Sequence, residues 1–251
     1  MSALISIQNV SKKFKDLKVL DQVNLDINSG EIVYVIGKSG SGKSVLLKNM
    51  IRLFNPEEGR ILVEGDDILT FNEEQLIEFR KKTGVLFQMA ALFDSLTVFD
   101  NVAFTLRRFT KYDKAQIKEI VEEKLALVGL RGYNDAWPAA LSIGMQKRVG
   151  LARAIAMDPK IIFCDEPTTG VDPLLGAAVD DLIKKLNREL GVTVMVISHD
   201  MASTFRVAHR VAMLYNGKFE FTGTTEELKN CDNPVVRQFV SGSAQGPMSI
   251  I

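Results

Sequence analysis

Gly37 to Ser44 reads GKSGSGKS, between the apolar run EIVYVIG (Glu31–Gly37) and the helix-like stretch VLLKNMIRLF (Val45–Phe54). The eight residues fit G-x-x-x-x-G-K-[ST] in the strand-to-helix setting that this motif requires. Its glycines let backbone N–H groups turn inward around phosphate oxygens, and the helix start adds a favourable dipole. Gly37, Lys38, Ser39, Gly40, Ser41 and Gly42 are the expected cradle. Lys43 is placed to neutralise the β and γ phosphates, and the Ser44 hydroxyl to ligate Mg2+. The stretch implies a nucleoside triphosphate site. EIVYVIG is apolar almost throughout, as a strand covered on both faces should be.

Working outward, LISIQNVSKKF and QVNLDI ahead of the loop read as strands, and GRILVEGDDI beyond it as another. NEEQLIEFRKKTG has a capping start at Asn72 and a glycine stop at Gly84. VLFQ, ending at Gln88, is a short buried strand. From about Met89 to Met157 the pattern becomes helical: Ile117, Val121, Leu125 and Val128 recur every three or four residues. Strand and helix then alternate again through KIIFCDEP, PLLGAAVDDLIKKLNREL, TVMVISHD, MASTFRVAH and RVAMLYNGKFEFTG. A short helix begins at Pro234, and its SGSAQGP tail is expected to leave the core. The alternation predicts an α/β fold with a mostly parallel sheet, an antiparallel N-terminal β portion and an inserted helical subdomain. The expected organisation is one domain, 1–251. Its β core is 1–88 with 158–232, the helical insert is 89–157, and a C-terminal helix and tail occupy 233–251.

Composition narrows the class. Formal net charge is zero, so no global field recruits nucleic acid or anionic lipid, and nucleic acid is not an expected partner. Of the two cysteines, Cys164 lies in an apolar run, which argues against a disulfide framework and for a reducing compartment. MSALISIQNV lacks the pattern of a signal peptide. The longest apolar runs, such as VTVMVIS, fall far short of the ~20 residues of a membrane helix. A soluble, cytosolic chain is the expectation.

Further chemistry gathers at strand ends. IIFCDE, Ile161 to Glu166, closes an apolar strand with two carboxylates: Asp165 is placed to hold Mg2+, and Glu166 to take a proton from an attacking water. Taken alone, such carboxylates also suit a solvated turn. His199 ends the run VMVIS and could set an imidazole against a γ-phosphate, or be structural. Gln88 offers an amide to Mg2+ or to the lytic water. In LSIGMQKR, Leu141 to Arg148, Ser142 can N-cap a helix whose first-turn N–H groups then remain available. The Ser142 hydroxyl and the Gly144 N–H are natural phosphate donors. Ile143, at the first helical position, is expected at negative φ and so to be tolerated.

In this order the motifs resemble those of the ATP-binding cassette ATPases, over nearly the whole chain. The resemblance implies ATP and Mg2+ as ligands. It matches Gln88 to the Q-loop, LSIGMQKR to the signature, Asp165 and Glu166 to the Walker B pair, Asp172 to the D-loop and His199 to the switch histidine. Lys43, Gln88, Glu166 and His199 are then the catalytic set, and Ser44, Gln88 and Asp165 the metal set. Phe14, in KKFKDLKVL, matches the aromatic that stacks on adenine, where an aromatic face is worth ~1–3 kcal/mol. By its own chemistry Phe14 suits a core position equally. Cassette ATPases pair so that the signature of one subunit caps ATP on the other. One loop and one signature in this chain therefore imply a homodimer or a similar partner subunit.

LFDSLTVFDNVAFTLRRFT (Leu92–Thr110) and NPVVRQFVSGSAQGP (Asn233–Pro247) resemble the Mla/Mce-type phospholipid-transport ATPases, with Ile143 and Thr105 as departures. That resemblance implies permease subunits docking near Gln88–Leu106, an MCE lipid-binding protein and, in some systems, a STAS-domain protein. It also implies a peripheral place on the cytoplasmic face of a bacterial inner membrane. Import of amino acids or other small solutes, lipoprotein release, a soluble non-transport cassette ATPase and a regulatory ATP-binding module are the alternatives.

Overall fold

A computed structural model of the chain describes residues 3–249. Met1, Ser2, Ile250 and Ile251, which the signal-peptide reading and the outer domain limits include, lie outside them. In chain order, β1 (Ile5–Phe14), β2 (Leu17–Ile27) and β3 (Ile32–Ile36) precede α1 (Lys43–Met50). Then follow β4 (Glu58–Val63), β5 (Asp66–Asp67), α2 (Glu73–Lys81), β6 (Thr83–Leu86), α3 (Val98–Phe109), α4 (Lys114–Leu127) and α5 (Ile143–Ala154). The rest is β7 (Ile161–Asp165), α6 (Pro173–Leu190), β8 (Thr193–Ser198), α7 (Met201–Val207), β9 (Arg210–Tyr215), β10 (Lys218–Thr224), α8 (Thr225–Lys229) and α9 (Pro234–Ser241). The chain forms two compact units: residues up to Leu76 with those from Met195 onward, and Ile77–Val194. α2 and β8 run across the boundaries.

In the first unit, β2, β1, β4 and β5 form an antiparallel sheet in that order. Alternation in β1 breaks at Asn9, whose φ of +50° marks a bulge, so Ile5 and Ile7 and then Val10 face the core. β3 pairs in parallel with β9, and β9 with β10 through a tight hairpin. Asn216 and Gly217 both take positive φ, the geometry that the right-handed twist of such a hairpin favours. All five residues of β3 are buried, as its apolar run predicts.

Every residue of the SGSAQGP stretch is exposed, as expected, but the chain comes back to the core just beyond it, at Met248. Gly242, at φ +66°, ends α9 and reverses the chain. Gln238 then receives the Met248 N–H on its side-chain oxygen at 2.6 Å, and Met248 is buried. Sequence reading missed this because one buried amide ten residues away holds an otherwise polar segment.

In the second unit β6 pairs in parallel with β7, from Thr83 opposite Ile161 to Leu86 opposite Cys164. Gly84, expected to stop the preceding helix, stands inside β6 instead, and α2 ends at Lys81. A Cβ on Gly84 would lie 2.3 Å from the Ala154 carbonyl oxygen, so glycine there admits the end of α5. α3 presents Val98, Val102 and Leu106 on one buried face, and burial of each such side chain is worth ~1.5–3 kcal/mol. Asn101, fully buried, donates to the carbonyls of Phe93, Leu96 and Thr97 and accepts the Phe93 N–H, which fixes the turn ahead of α3. Cys164 and Cys231 are both free thiols. Burial, reinforced by the neighbouring Asp165, pushes the Cys164 thiol up to about 12, so it behaves as a core residue.

Candidate active site

In the first unit the loop after β3 is shaped by its glycines. Gly37 has φ +151°, and a Cβ there would meet the Leu214 carbonyl oxygen at 2.3 Å and Ser41 Oγ at 2.8 Å. Gly40 and Gly42 also lie in the left-handed region, at +77° and +102°. Gly42 is the residue before α1, so that helix begins without a side-chain cap. Lys43 is buried, and its Nζ donates to the Gly37 and Lys38 carbonyls at 2.8 and 3.0 Å, which closes the loop around the ammonium. Ser41 Oγ is buried with no hydrogen-bond partner. A tight loop with an inward lysine, an uncapped helix start and an orphaned buried hydroxyl fits a phosphate chain, which supplies the missing acceptors. Lys38 is half-buried, Ser39 exposed and Ser44 half-buried, on the first turn of α1.

Phe14 lies at the end of β1, 41% exposed, and meets Phe54 edge-on with ring centroids 5.5 Å apart. It is therefore not a core residue. Lys12 Nζ stands 5.3 Å from its ring. Phe54 carries no signal in the sequence, since no motif or periodicity distinguishes it. His199 follows β8 and is exposed.

In the second unit Asp165 ends β7 and Glu166 follows at φ +51°. A non-glycine residue in that region costs of order 1–3 kcal/mol and persists where its surroundings hold it. Here the Glu166 carbonyl accepts from Lys147 Nζ at 3.0 Å and from the Thr169 N–H at 3.2 Å. Its carboxylate accepts from the Thr169 hydroxyl at 2.9 Å. Both Asp165 and Glu166 are buried. Burial holds the Lys147 ammonium below the usual lysine range, with the nearby Glu166 charge opposing.

Ser142 caps α5, its Oγ accepting the Met145 N–H at 3.3 Å. Ile143 opens the helix, stays out of the positive-φ region and is 53% exposed, so the backbone strain that would impair the motif is absent. Gly144 is buried against Leu175, whose Cδ1 would stand 3.4 Å from an added Cβ. Asp172 caps α6, Oδ1 accepting the Leu174 and Leu175 N–H groups. Gln88 is exposed in the turn after β6. Ala90 and Ala91, both at positive φ, follow it, and Arg153 of α5 donates to their carbonyls at 2.7 Å each. Nearby, Phe93 and Phe104 stack tilted at 4.7 Å beside a cavity of about 300 Å³ that Phe87, Phe109 and Thr105 also line.

Lys147, Arg153 and Thr169 were not picked out from the sequence. For Lys147 a signal exists: Gly144, Lys147, Leu151 and Ala154 form one buried stripe of α5, so a lysine there faces inward. Among the described residues no group of three or more His, Cys, Asp or Glu converges on a metal position. Mg2+ characteristically takes one or two carboxylates with phosphate oxygens and water, chemistry that the Asp165 carboxylate in the second unit and, taken by itself, the Ser44 hydroxyl in the first can each supply.

A phosphate-binding loop opening a helix and a carboxylate pair closing a buried strand define a P-loop nucleoside triphosphatase. Residues 20–169 match the family model described as ABC transporter. The chain is 42% identical over 250 residues to the "Probable ribonucleotide transport ATP-binding protein mkl" of Mycobacterium leprae, covering 100% of this chain and 72% of that one. It is 41% identical over 245 residues to the "Intermembrane phospholipid transport system ATP-binding protein MlaF" of Haemophilus influenzae, covering 98% of this chain and 93% of that one. A solved dimer of the ATP-binding cassette MJ0796 bound to ADP and Pi superposes with a TM-score of 0.80 at 32% identity, covering 88% of this chain and 98% of that one.

The chain belongs to the ABC transporter family. It has the P-loop ABC ATPase fold, binds ATP with Mg2+ and hydrolyses ATP as the ATPase of a transporter. ATPases of this family dimerise and work with membrane permeases. No helix among the described residues is long and apolar enough to cross a membrane.

Proposed function

We propose that this chain powers phospholipid transport between membranes through a permease and an MCE lipid-binding protein, with a STAS-domain protein as a further subunit. The observation that carries this reading is the match to the Haemophilus protein over 98% of this chain and 93% of that one. The Leu92–Thr110 and Asn233–Pro247 stretches add to it. A second reading, transport of a ribonucleotide or another small solute, takes its support from the printed name of the mycobacterial relative.

In this reading two copies of the chain close on ATP at the cytoplasmic face of a bacterial inner membrane. The loop Gly37–Ser44 cradles the phosphates, Lys43 neutralises their charge and Phe14 stacks on adenine. Ser142 and the Gly144 N–H cap the partner's nucleotide, with Asp172 at the same interface. Ser44, Asp165 and Gln88 hold Mg2+, which when bound offsets charge on the phosphate oxygens. Glu166 takes the proton of the attacking water, and His199 and Gln88 orient that water. The Phe93–Phe104 surface within Gln88–Leu106 receives the permease. The division into a β core (1–88, 158–232), a signature subdomain (89–157) and a C-terminal segment (233–251) belongs to the same reading.

The negative φ of Ile143 sets a first expectation. Ile143→Gly should leave ATP turnover within about threefold of wild type, because no positive-φ strain of ~1–3 kcal/mol is there to relieve. A many-fold gain, measured by phosphate release, would show an impaired wild-type signature. The transport reading is tested by purifying the tagged chain from detergent-solubilised membranes and identifying what accompanies it. A permease with an MCE-domain protein is the expected company. A small-solute binding protein, or no membrane protein at all, would contradict it.

A further inference from the structure

Lys147 is 1% exposed, on a helix face otherwise made of small and apolar residues. Its bond to the Glu166 carbonyl, at 3.0 Å, is its one hydrogen bond among the described residues. A buried ammonium with a single neutral partner is costly, and an apolar side chain of similar size is often as stable or more so. Stability is therefore a poor reason for this lysine. Its donor meets the one residue of the β7–α6 turn that combines a left-handed backbone with a buried carboxylate.

We infer that Lys147 is a positioning residue that sets Glu166 for its work on the attacking water, an inference that rests on the reading of Glu166 as the base. Three hydrogen bonds hold Glu166 in the turn. Lys147 and the Thr169 N–H hold the Glu166 carbonyl, and the Thr169 hydroxyl holds the carboxylate. Without Lys147 the carbonyl loses its charged donor and keeps only the Thr169 N–H, so the peptide after Glu166 is held less firmly and the carboxylate shifts with it. The same helix is capped by Ser142, which the proposed function sets against the partner's nucleotide. Lys147 lies about a turn and a half further along, since 3.6 residues make one turn. Movement of the signature helix by the partner's ATP is thereby transmitted to the base of the subunit's own site.

The test is ATP hydrolysis by full-length K147M, K147R, E166Q and K147M/E166Q, with kcat and KM separated and folding checked by thermal melting. K147M should lower kcat at least about tenfold, because small misplacements of a reacting group cost that much or more. Its KM should stay within about twofold, as expected when the lost interaction serves only the chemical step. K147R should recover most of the loss, and the double variant should be no slower than E166Q. If K147M fails to fold, K147Q is read on the same terms. A kcat within about twofold of wild type in folded K147M, with E166Q inactive, would overturn the inference and leave the base assignment standing. Undiminished loss on adding K147M to E166Q would overturn it as well. Wild-type turnover in E166Q itself would remove both.

Discussion

Glu166→Gln should lower steady-state ATP hydrolysis by about 10²–10⁴-fold, the range over which a positioned general base acts. Glutamine matches glutamate in size and keeps an oxygen that the Thr169 hydroxyl can reach, so the turn at φ +51° should survive. What it lacks is a site basic enough to accept the water's proton. In the proposed function ATP is held chiefly by the loop Gly37–Ser44, so ATP affinity should remain near wild type. The variant should accumulate as an ATP-closed dimer, seen as a mass doubling in sizing with ATP that ADP does not produce. Turnover equal to wild type would remove Glu166 from the chemistry.

Lys43→Ala should act on binding. The ammonium is enclosed by its loop, and charge-assisted hydrogen bonds are worth about 1.5–3 kcal/mol. Losing one of that size weakens ATP binding roughly 10–100-fold, at about 1.4 kcal/mol per factor of ten. The substitution also leaves the Gly37 and Lys38 carbonyls without this donor, so the loop loses part of its shape. Titration with a fluorescent ATP analogue, beside a melting curve, separates the two effects. Unchanged affinity in a folded variant would count directly against the phosphate role of the loop.

The two positions differ in how far the sequence disclosed them. Gly37–Ser44 and Ile161–Glu166 are contiguous, and each sits at a boundary that an apolar run makes visible, so their places at strand ends are legible in the sequence. The same holds for the strand–helix alternation and for Ser142 as a cap. What escaped depends on distant contacts. Gly84 looks like a helix stop until the Ala154 carbonyl, seventy residues away in sequence, is brought against it. The tail looks free until Gln238 is seen to hold Met248. The left-handed backbone at Glu166, Ala90 and Ala91 has no local cue, because neither glutamate nor alanine favours it. Lys147 and Arg153 supply the donors that meet these carbonyls, and both come from α5. α5 thus supports the turn after β7 and the turn after β6 within one unit.

The central claim is that ATP hydrolysis by this chain moves phospholipid. Its most direct measurement is transfer of a fluorescent phospholipid between two vesicle populations, one of which carries the membrane complex purified with this chain. Transfer that requires ATP and Mg2+, and that stops when Glu166→Gln replaces the wild-type chain, is the predicted result. ATP turnover by the same complex with no transfer beyond the nucleotide-free rate, in either direction, would contradict the account.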